Sequence, residues 1–246
     1  MQCLNCHNTI ETPFCPHCGQ SSQVARITGR DIYKGIPQSI GNFDRGFLHT
    51  LVSLLRNPVV LTRDYLSGKR ARHQKPLQFF LIITTLQVIL AKLILAVKTS
   101  FSGGEGSSLL QAAPAWLQQM ISNSPAIIAL VLFPFIALGF YAGYRKHGNN
   151  IGEHFYISLF LFSYIQVVSM LTNLLVLSFP GLQDYLGFLY IPIIYWFYYA
   201  FYRGKTRGFL TSFLRTTASI GLTLGLMMAF ASAIFLLVMQ IGRLIS

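Results

Sequence analysis

Cysteine is absent from the chain after Cys18, and acidic residues are scarce throughout, with seven Asp and Glu against 19 Lys and Arg in 246 residues. No disulfide can therefore cross-link the region beyond the N-terminus. Charged residues of both signs make up only 11% of the sequence, whereas hydrophobic residues make up 53%. This balance excludes an ordinary soluble domain and is typical of a chain that lies largely in lipid.

Sequence signatures of common enzymes are also missing. The chain has no H-E-x-x-H metalloprotease helix, no G-x-S-x-G nucleophile elbow and no G-x-x-x-x-G-K-[ST] phosphate-binding loop. Its apolar segments hold no cluster of His, Asp, Glu or Ser, and too few charges to indicate ion-coupled transport. The sequence therefore predicts a protein without enzymatic activity.

Long apolar stretches begin after Pro76 and recur to the end of the chain. Five of them approach the roughly 20 residues needed to cross a hydrocarbon core: 77–97, 126–144, 155–179, 186–202 and 217–241. The fourth is the shortest; Pro192 is expected to kink it, and its aromatic residues resemble an interfacial belt. That set is Tyr190, Tyr195, Trp196, Tyr198, Tyr199 and Tyr202. The predicted fold is an all-α polytopic membrane protein with about five transmembrane helices behind a small N-terminal zinc ribbon.

Lys and Arg residues are distributed unevenly among the polar segments. They concentrate before the first span, at Arg145-Lys146, and between the fourth and fifth spans at Arg203, Lys205, Arg207 and Arg215. Because cytoplasmic loops retain an excess of basic residues, this distribution predicts a cytoplasmic N-terminus and an outside C-terminus. The N-terminus does not have the pattern of a cleavable signal peptide. The compact loops favour the plasma (inner) membrane of a bacterium.

Two C-x-x-C pairs, Cys3 with Cys6 and Cys15 with Cys18, are separated by eight residues. Each pair offers two sulfurs to a tetrahedral Zn²⁺ ion, and Gly19 permits a tight turn after the second pair. We expect residues 1–22 to form a ribbon around a closed, structural zinc site. The cytosol would keep these thiols reduced and available to the metal.

Other interpretations of this motif are a thioredoxin-like redox pair and a site in which His7 or His17 replaces a cysteine. A redox pair needs surrounding strands and helices that so short a segment does not supply. A ribbon of this size can bind nucleic acid, contact another protein or cap a terminus, and its spacing does not separate these roles.

Residues 23–76 form a basic juxtamembrane region with predicted helices at 31–40, 44–55 and 59–66. In the second helix the apolar residues recur at helical spacing, which suits a helix at the membrane surface or one packed against the spans. Next to the first span lie Lys69, Arg70, Arg72 and Lys75. Basic residues beside an anionic surface each contribute about 1 kcal/mol of attraction. We predict that these four contact anionic lipid head groups, a placement that favours lipid over nucleic acid.

The ribbon and the region after it resemble a known family. The matching residues are Phe14 to Gln20, Arg26-Ile27-Thr28, Phe43 to Phe47 with Thr50, Asn57-Pro58, Tyr65 to Arg70, and Lys75-Pro76-Leu77. This pattern is similar to the bacterial family catalogued as domain of unknown function 3667, over roughly the first third of the chain. The first knuckle departs from the usual ribbon because His7 stands where glycine commonly follows. The resemblance implies the architecture and no activity or catalytic residue.

Residues 77–246 contain few polar side chains. Lys92 can snorkel to the outer interface, and Gln87, Gln166, Asn173 and Gln240 can form hydrogen bonds between helices. Glu153-His154 can relay a proton or bind metal, although a helix cap is the simpler interpretation.

Small residues form a stripe on the last span and a shorter one on the second, and such stripes allow close helix packing within one chain or between copies. The members of these stripes are Thr217, Gly221, Gly225, Ala229 and Ala233 on the last span, and Gly139 and Gly143 on the second.

These features predict a non-enzymatic adaptor or scaffold, in which the ribbon engages a cytosolic protein partner while the spans anchor it in the bilayer. The alternative is a transporter or channel for a small solute or lipid, with the head as a regulatory element. Transport requires a polar cavity among the spans.

Overall fold

The computed structural model describes residues 1–28, 46–102, 125–179, 183–206 and 208–245. This part of the chain contains a cysteine-rich head, seven α-helices and one 3₁₀ turn, Arg145–His147. The α-helices are α1 Phe47–Arg56, α2 Pro58–Leu66, α3 Pro76–Ser102, α4 Pro125–Tyr144, α5 Ile151–Ser178, α6 Gln183–Phe201 and α7 Phe209–Ile245. The predicted helix at 31–40 and most of the loop that carries Glu105 lie outside the described residues, as does Arg207.

The apolar helices confirm a membrane protein. Three are long and apolar enough to cross a bilayer, over Pro76–Ile94, Ile151–Leu177 and Phe209–Ala233. They coincide with the first, third and fifth predicted spans, while α4 and α6 coincide with the second and fourth. Between three and five apolar helices therefore make the protein multi-pass.

Local sequence sets where the helices begin. Asn57 has an extended backbone and its side chain accepts the N–H of Val60, so the chain breaks between α1 and α2 and Pro58 starts the new helix. Asn150 and Glu153 form a reciprocal capping box at the start of α5. Since this cap precedes the apolar run, α5 begins before the predicted span. The cap interpretation of Glu153 is confirmed.

Helix α5 lies at the centre of the bundle and contacts α2, α3, α4 and α6, while α7 packs mainly on α4. Gly139 and Gly143 of α4 face Thr223 and Ser219 of α7 so closely that neither position has room for a Cβ atom. The shorter small-residue stripe therefore packs within the chain. At Gly221, by contrast, a Cβ atom would have no neighbour within 4 Å among the described residues.

Two tyrosines at the C-terminal end of α6, Tyr198 within the helix and Tyr202 just after it, belong to the core. The Tyr198 ring stacks on Phe140 with centroids 4.3 Å apart, and the Tyr202 ring stacks on Tyr144 at 4.5 Å. Both tyrosine side chains are fully buried, and the Tyr202 hydroxyl lies 3.2 Å from Nε2 of buried His154. For these two residues the predicted interfacial belt is wrong, because their hydroxyls have partners inside the protein.

Polar side chains join the helices. Gln166 of α5 donates to the Thr84 hydroxyl of α3 at 2.9 Å, and Gln87 donates to Ser169 at 3.2 Å. The predicted role of both glutamines as hydrogen-bonding links is confirmed. Such links satisfy polar groups that would otherwise be costly in lipid.

Helix α1 divides its apolar residues between two faces. Phe47, Leu51 and Leu54 pack into a buried cluster with Phe79 and other residues of the bundle, whereas Leu48, Val52 and Leu55 are exposed. The packing alternative accounts for the first face. The second face keeps the pattern of a helix at the membrane surface.

Candidate metal centre

The head consists of two knuckles with the same backbone geometry. Single β-bridges pair Gln2 with Thr9 and Phe14 with Ser21, so each C-x-x-C turn is closed by its own flanks. In the first knuckle Cys3 N–H donates to the Asn8 carbonyl at 2.9 Å, and in the second Cys15 N–H donates to Gln20 at 2.7 Å. These bonds hold each pair of thiols on one side of its turn.

The residue after each C-x-x-C pair has a left-handed backbone. His7 has φ 61° and Gly19 has φ 73°, and their N–H groups donate to the carbonyls of Cys3 and Cys15 at 2.9 and 2.8 Å. Glycine adopts this conformation without steric cost, whereas histidine does not. The departure of the first knuckle from the usual ribbon is therefore a site of backbone strain.

The four thiols converge on one point. The sulfur atoms of Cys3, Cys6, Cys15 and Cys18 all lie within 4.8 Å of one another. The distances from Cys3 to Cys18 and from Cys6 to Cys15 are both 3.5 Å, far longer than a disulfide. Such a cluster can hold one metal ion. Both histidines of the head are exposed, so the four sulfurs alone form the candidate ligand set.

Neighbouring groups make the thiols unequal. Burial opposes ionisation of Cys3, yet backbone N–H groups of Cys6 and Asn5 and the adjacent thiols lower the pKa of Cys3 to about 6. Despite a backbone hydrogen bond from Asn8, burial and the other thiols raise the pKa of Cys6 to about 12. Cys15 resembles Cys3: burial opposes ionisation, but backbone and thiol hydrogen bonds lower its pKa. Cys3 and Cys15 therefore ionise more readily than an ordinary cysteine, and a bound cation would favour the thiolate form of its ligands.

Gln20 attaches the head to the helical region. Its buried side chain donates to the Gly68 carbonyl and accepts the N–H groups of Arg70 and Ala71 at 3.1 and 2.8 Å. Gly68 has φ 105°, and a Cβ atom there would lie 2.9 Å from Leu4 of the first knuckle. The turn after α2 is thus shaped to receive the ribbon.

A second attachment follows the ribbon. Arg26 donates to both carboxylate oxygens of Glu153, at 2.6 and 2.9 Å, and to the Gly148 carbonyl at 2.6 Å. Hydrogen bonding and the charge of Glu153 raise the pKa of Arg26, which stays protonated. Next to it, Ile27 is buried in the cluster that contains Leu54, and its carbonyl accepts from Asn150 at 2.8 Å.

The basic run divides into two pairs. Lys69 forms a 3.0 Å ion pair with Asp64, and Arg70 donates to the Tyr65 carbonyl at 3.1 Å while its guanidinium lies 5.4 Å from the Tyr65 ring centroid. Arg72 and Lys75 are exposed. Half of the run thus supports the turn that receives the ribbon, and contact of the four residues with lipid stays a prediction.

Sequence reasoning missed both attachments of the head. Arg26 was visible as part of the family pattern and Glu153 as the acid beside a span boundary, but 127 residues separate them. Gln20 follows Gly19 and has the ordinary appearance of a polar loop residue. No local pattern connects a glutamine in the ribbon to a turn at Gly68.

Comparison with known proteins matches part of the chain. No curated protein and no solved structure matches the chain. The match covers residues 44–88, a segment that includes α1, α2, the turn that receives the ribbon and the first part of α3. Residues 44–88 match the family described as protein of unknown function (DUF3667), which confirms over this segment the resemblance found in the sequence.

Proposed function

We propose that this chain is a non-enzymatic membrane scaffold, in which a zinc ribbon docked on the helical bundle engages a cytosolic protein partner. The observation that supports it most directly is the double attachment of the head through Gln20 and Arg26. A head held in this way has a fixed position on the bundle. Its outer surface can then present one defined contact face.

Zinc is the metal that the ligand set favours. In a tetrahedral site with Zn–S bonds of about 2.3 Å, the sulfurs are about 3.8 Å apart, close to the 3.5 Å separations of the head. Four cysteines leave no coordination position for water or substrate, so the ion would stabilise the fold without activating a nucleophile.

Phe14 is the side chain that we propose as the first contact with the partner. It lies on the second knuckle and is 63% exposed, although the same knuckle buries Cys15 and Gln20. Aromatic side chains are enriched at the centres of protein interfaces because they bury a large area at low entropic cost.

The proposed location is a bacterial inner membrane, with the head in the cytoplasm and Ser246 outside. Basic residues near the head support this location. Arg26 contacts Gly148, in the same turn as Lys146, so the head lies at the basic end of the bundle. The basic end of a membrane protein usually faces the cytoplasm. A reporter fused to Ser246 should be active only outside the cytoplasm, and cytoplasmic activity would exclude an odd number of spans.

The decisive experiment measures metal content and crosslinked partners of the detergent-purified protein in three forms: wild type, the Cys15→Ser, Cys18→Ser double variant, and Phe14→Ala. We expect about one zinc per wild-type chain and a specific cytosolic partner. The double variant should lose both. Phe14→Ala should retain the zinc and lose the partner.

Two results would contradict the scaffold. Partners that are indifferent to both variants would remove the ribbon from the interaction, and zinc without any partner would favour the transport alternative. Transport needs a polar path through the spans. The polar side chains between α3 and α5 instead bond in pairs, Gln166 with Thr84 and Gln87 with Ser169, so they link the two helices.

A further inference from the structure

A cavity opens at the end of the bundle where α4 ends and α7 begins. It has a volume of about 760 Å³, within the usual range of ligand pockets. Three segments supply its walls: the turn after α4, the turn after α6 and the first turns of α7. The lining residues are Lys146, His147, Gly148, Lys205, Thr206, Thr211 and Arg215.

The charge of this cavity has one sign. Lys146, Lys205 and Arg215 come from three different segments, and none of the seven lining residues that the structure describes is acidic. Membrane topology accounts for basic residues at this end of the bundle but does not require those of three segments to share one cavity. Their convergence around one concave space concentrates positive potential, which attracts anions.

Arg215 is held in position by His147. A guanidinium nitrogen of Arg215 lies 2.9 Å from Nε2 and 3.1 Å from Nδ1 of His147, and Nδ1 lies 3.2 Å from the Tyr144 carbonyl. The guanidinium therefore contacts both nitrogens of the ring and not the lone pair of one alone. Burial and the nearby charges of Arg215 and Lys205 lower the pKa of His147, which favours a neutral ring beside this cation.

The N-terminus of α7 opens onto the same cavity. Thr211, which lines it, donates its hydroxyl to the Gly208 carbonyl at 2.9 Å. Thr211 lies in the first turn of α7, where Ser212 N–H already donates to Gly208 but the preceding N–H groups have no acceptor within the helix. A helix N-terminus adds partial positive charge to the same space.

We propose that this cavity binds a phosphate group, carried either by the head group of an anionic lipid or by a soluble phosphate compound. Phosphate offers several acceptor oxygens, which match cations that reach the cavity from three segments. The lining residues of the cavity belong neither to the basic run at 69–75 nor to the ribbon, and Arg26 reaches only the Gly148 carbonyl at its edge. The site does not depend on the scaffold function or on zinc.

The experiment compares the Lys146→Gln, Lys205→Gln double variant with Arg56→Gln, Arg203→Gln, which removes the same charge from exposed positions outside the cavity. Inorganic phosphate binding is measured on the full chain in detergent by equilibrium dialysis. Lipid binding is measured in phosphatidylcholine nanodiscs with a minor fraction of phosphatidic acid, by mass spectrometry of the retained lipid.

We expect saturable binding of at least one probe to the wild type. The cavity variant should weaken it by about tenfold or more, whereas the control should change it by less than about twofold. Saturable phosphate binding with no phosphatidic acid retention would identify a soluble ligand, and the reverse pattern would identify a head group.

Equal weakening in both double variants would reduce the effect to general charge attraction and overturn the proposal. Absence of saturable binding of both probes to the wild type would overturn it as well. Thermal unfolding of each variant checks the fold, and the Lys146→Arg, Lys205→Arg double variant, which keeps both charges, gives a second measurement: its binding should stay within about twofold of the wild type.

Discussion

Arg26 and Glu153 form a bidentate ion pair in which the carboxylate also accepts the N–H of Asn150 at the start of α5. One acidic side chain therefore caps a central helix and fixes the segment that follows the ribbon. Glu153 is buried, whereas most of the Arg26 side chain is exposed. The pair couples the position of the head to the end of the bundle.

Replacing Arg26 by Gln should release the head while leaving its metal site intact. The variant loses the charge-assisted hydrogen bonds to Glu153 and leaves a buried carboxylate with only neutral donors, a change that costs on the order of 1–3 kcal/mol in comparable cases. Hydrogen exchange should accelerate in residues 20–28. Zinc content should stay at the wild-type value.

Lys69→Gln is the matched control, because the Lys69–Asp64 pair has both partners partly exposed. Exposed ion pairs contribute about 0–1 kcal/mol, so exchange in the same residues should hardly change. Equal effects of the two substitutions would contradict the specific role of the Arg26 contact.

Gly68→Ala should weaken the contact between the ribbon and the turn after α2. Gly68 has a left-handed backbone, and the new methyl group would lie 2.9 Å from Leu4 and 3.3 Å from Val24. Gly204→Ala is its control, since φ there is also positive, at 89°, but no described atom lies within 4 Å of the added Cβ. Protease cleavage between the head and α1 should increase much more for Gly68→Ala. Similar cleavage of both variants would show that backbone strain alone decides the result.

The two knuckles predict opposite effects of reciprocal substitutions. His7→Gly should stabilise the ribbon and Gly19→Ala should destabilise it, each by about 1 kcal/mol, because both positions have left-handed backbones. A Cβ atom on Gly19 would have no described neighbour within 4 Å, so conformation rather than packing decides. Competition with a chelator measures metal retention, which should be highest for His7→Gly. Loss of metal from His7→Gly would instead assign the imidazole a role at the site.

The stripes of small residues differ in tolerance. Gly139→Ala should strongly destabilise the bundle, because its Cβ atom would lie 2.9 Å from the Ser219 carbonyl oxygen and 3.0 Å from Cβ of Thr223 on α7. Gly225→Ala, at a position with no described atom within 4 Å of the added Cβ, should be neutral or slightly stabilising in a monomer. Thermal unfolding in detergent distinguishes them. A large loss for Gly225→Ala would show that another helix packs there.

Patterns that are local in sequence identified much of this protein. Apolar length located the helices, and the two C-x-x-C pairs located the sulfur cluster, because both depend on residues close together in the chain. The contacts of Gln20 and Arg26 depend on tertiary packing, so no pattern in the ribbon could reveal them. The burial of Tyr198 and Tyr202 was missed for the same reason: an aromatic run looks alike at an interface and in a core.

We expect His73 to make the stability of the region around it depend on pH. Its ring lies 4.8 Å from that of His49, and burial together with the charge of His49 lowers its pKa, which Asp64 raises only in part. The unfolded state then binds a proton more readily than the folded state, so stability is retained above the ordinary histidine pKa of about 6.5 and falls as the pH drops through it. Opening of the region from α1 to the start of α3 should become more frequent as the pH falls from about 7.5 to about 5. Hydrogen exchange, corrected for its intrinsic pH dependence, measures this opening.

The His73→Gln variant should lose part of this pH dependence, since glutamine has no charge to gain. His17→Gln, at an exposed position in the head, should keep it. An unchanged pH profile in His73→Gln would assign the effect to other groups at this end of the bundle. A profile that flattens in His73→Gln alone would establish the contact between α1 and the turn after α2 as the acid-sensitive part of the structure.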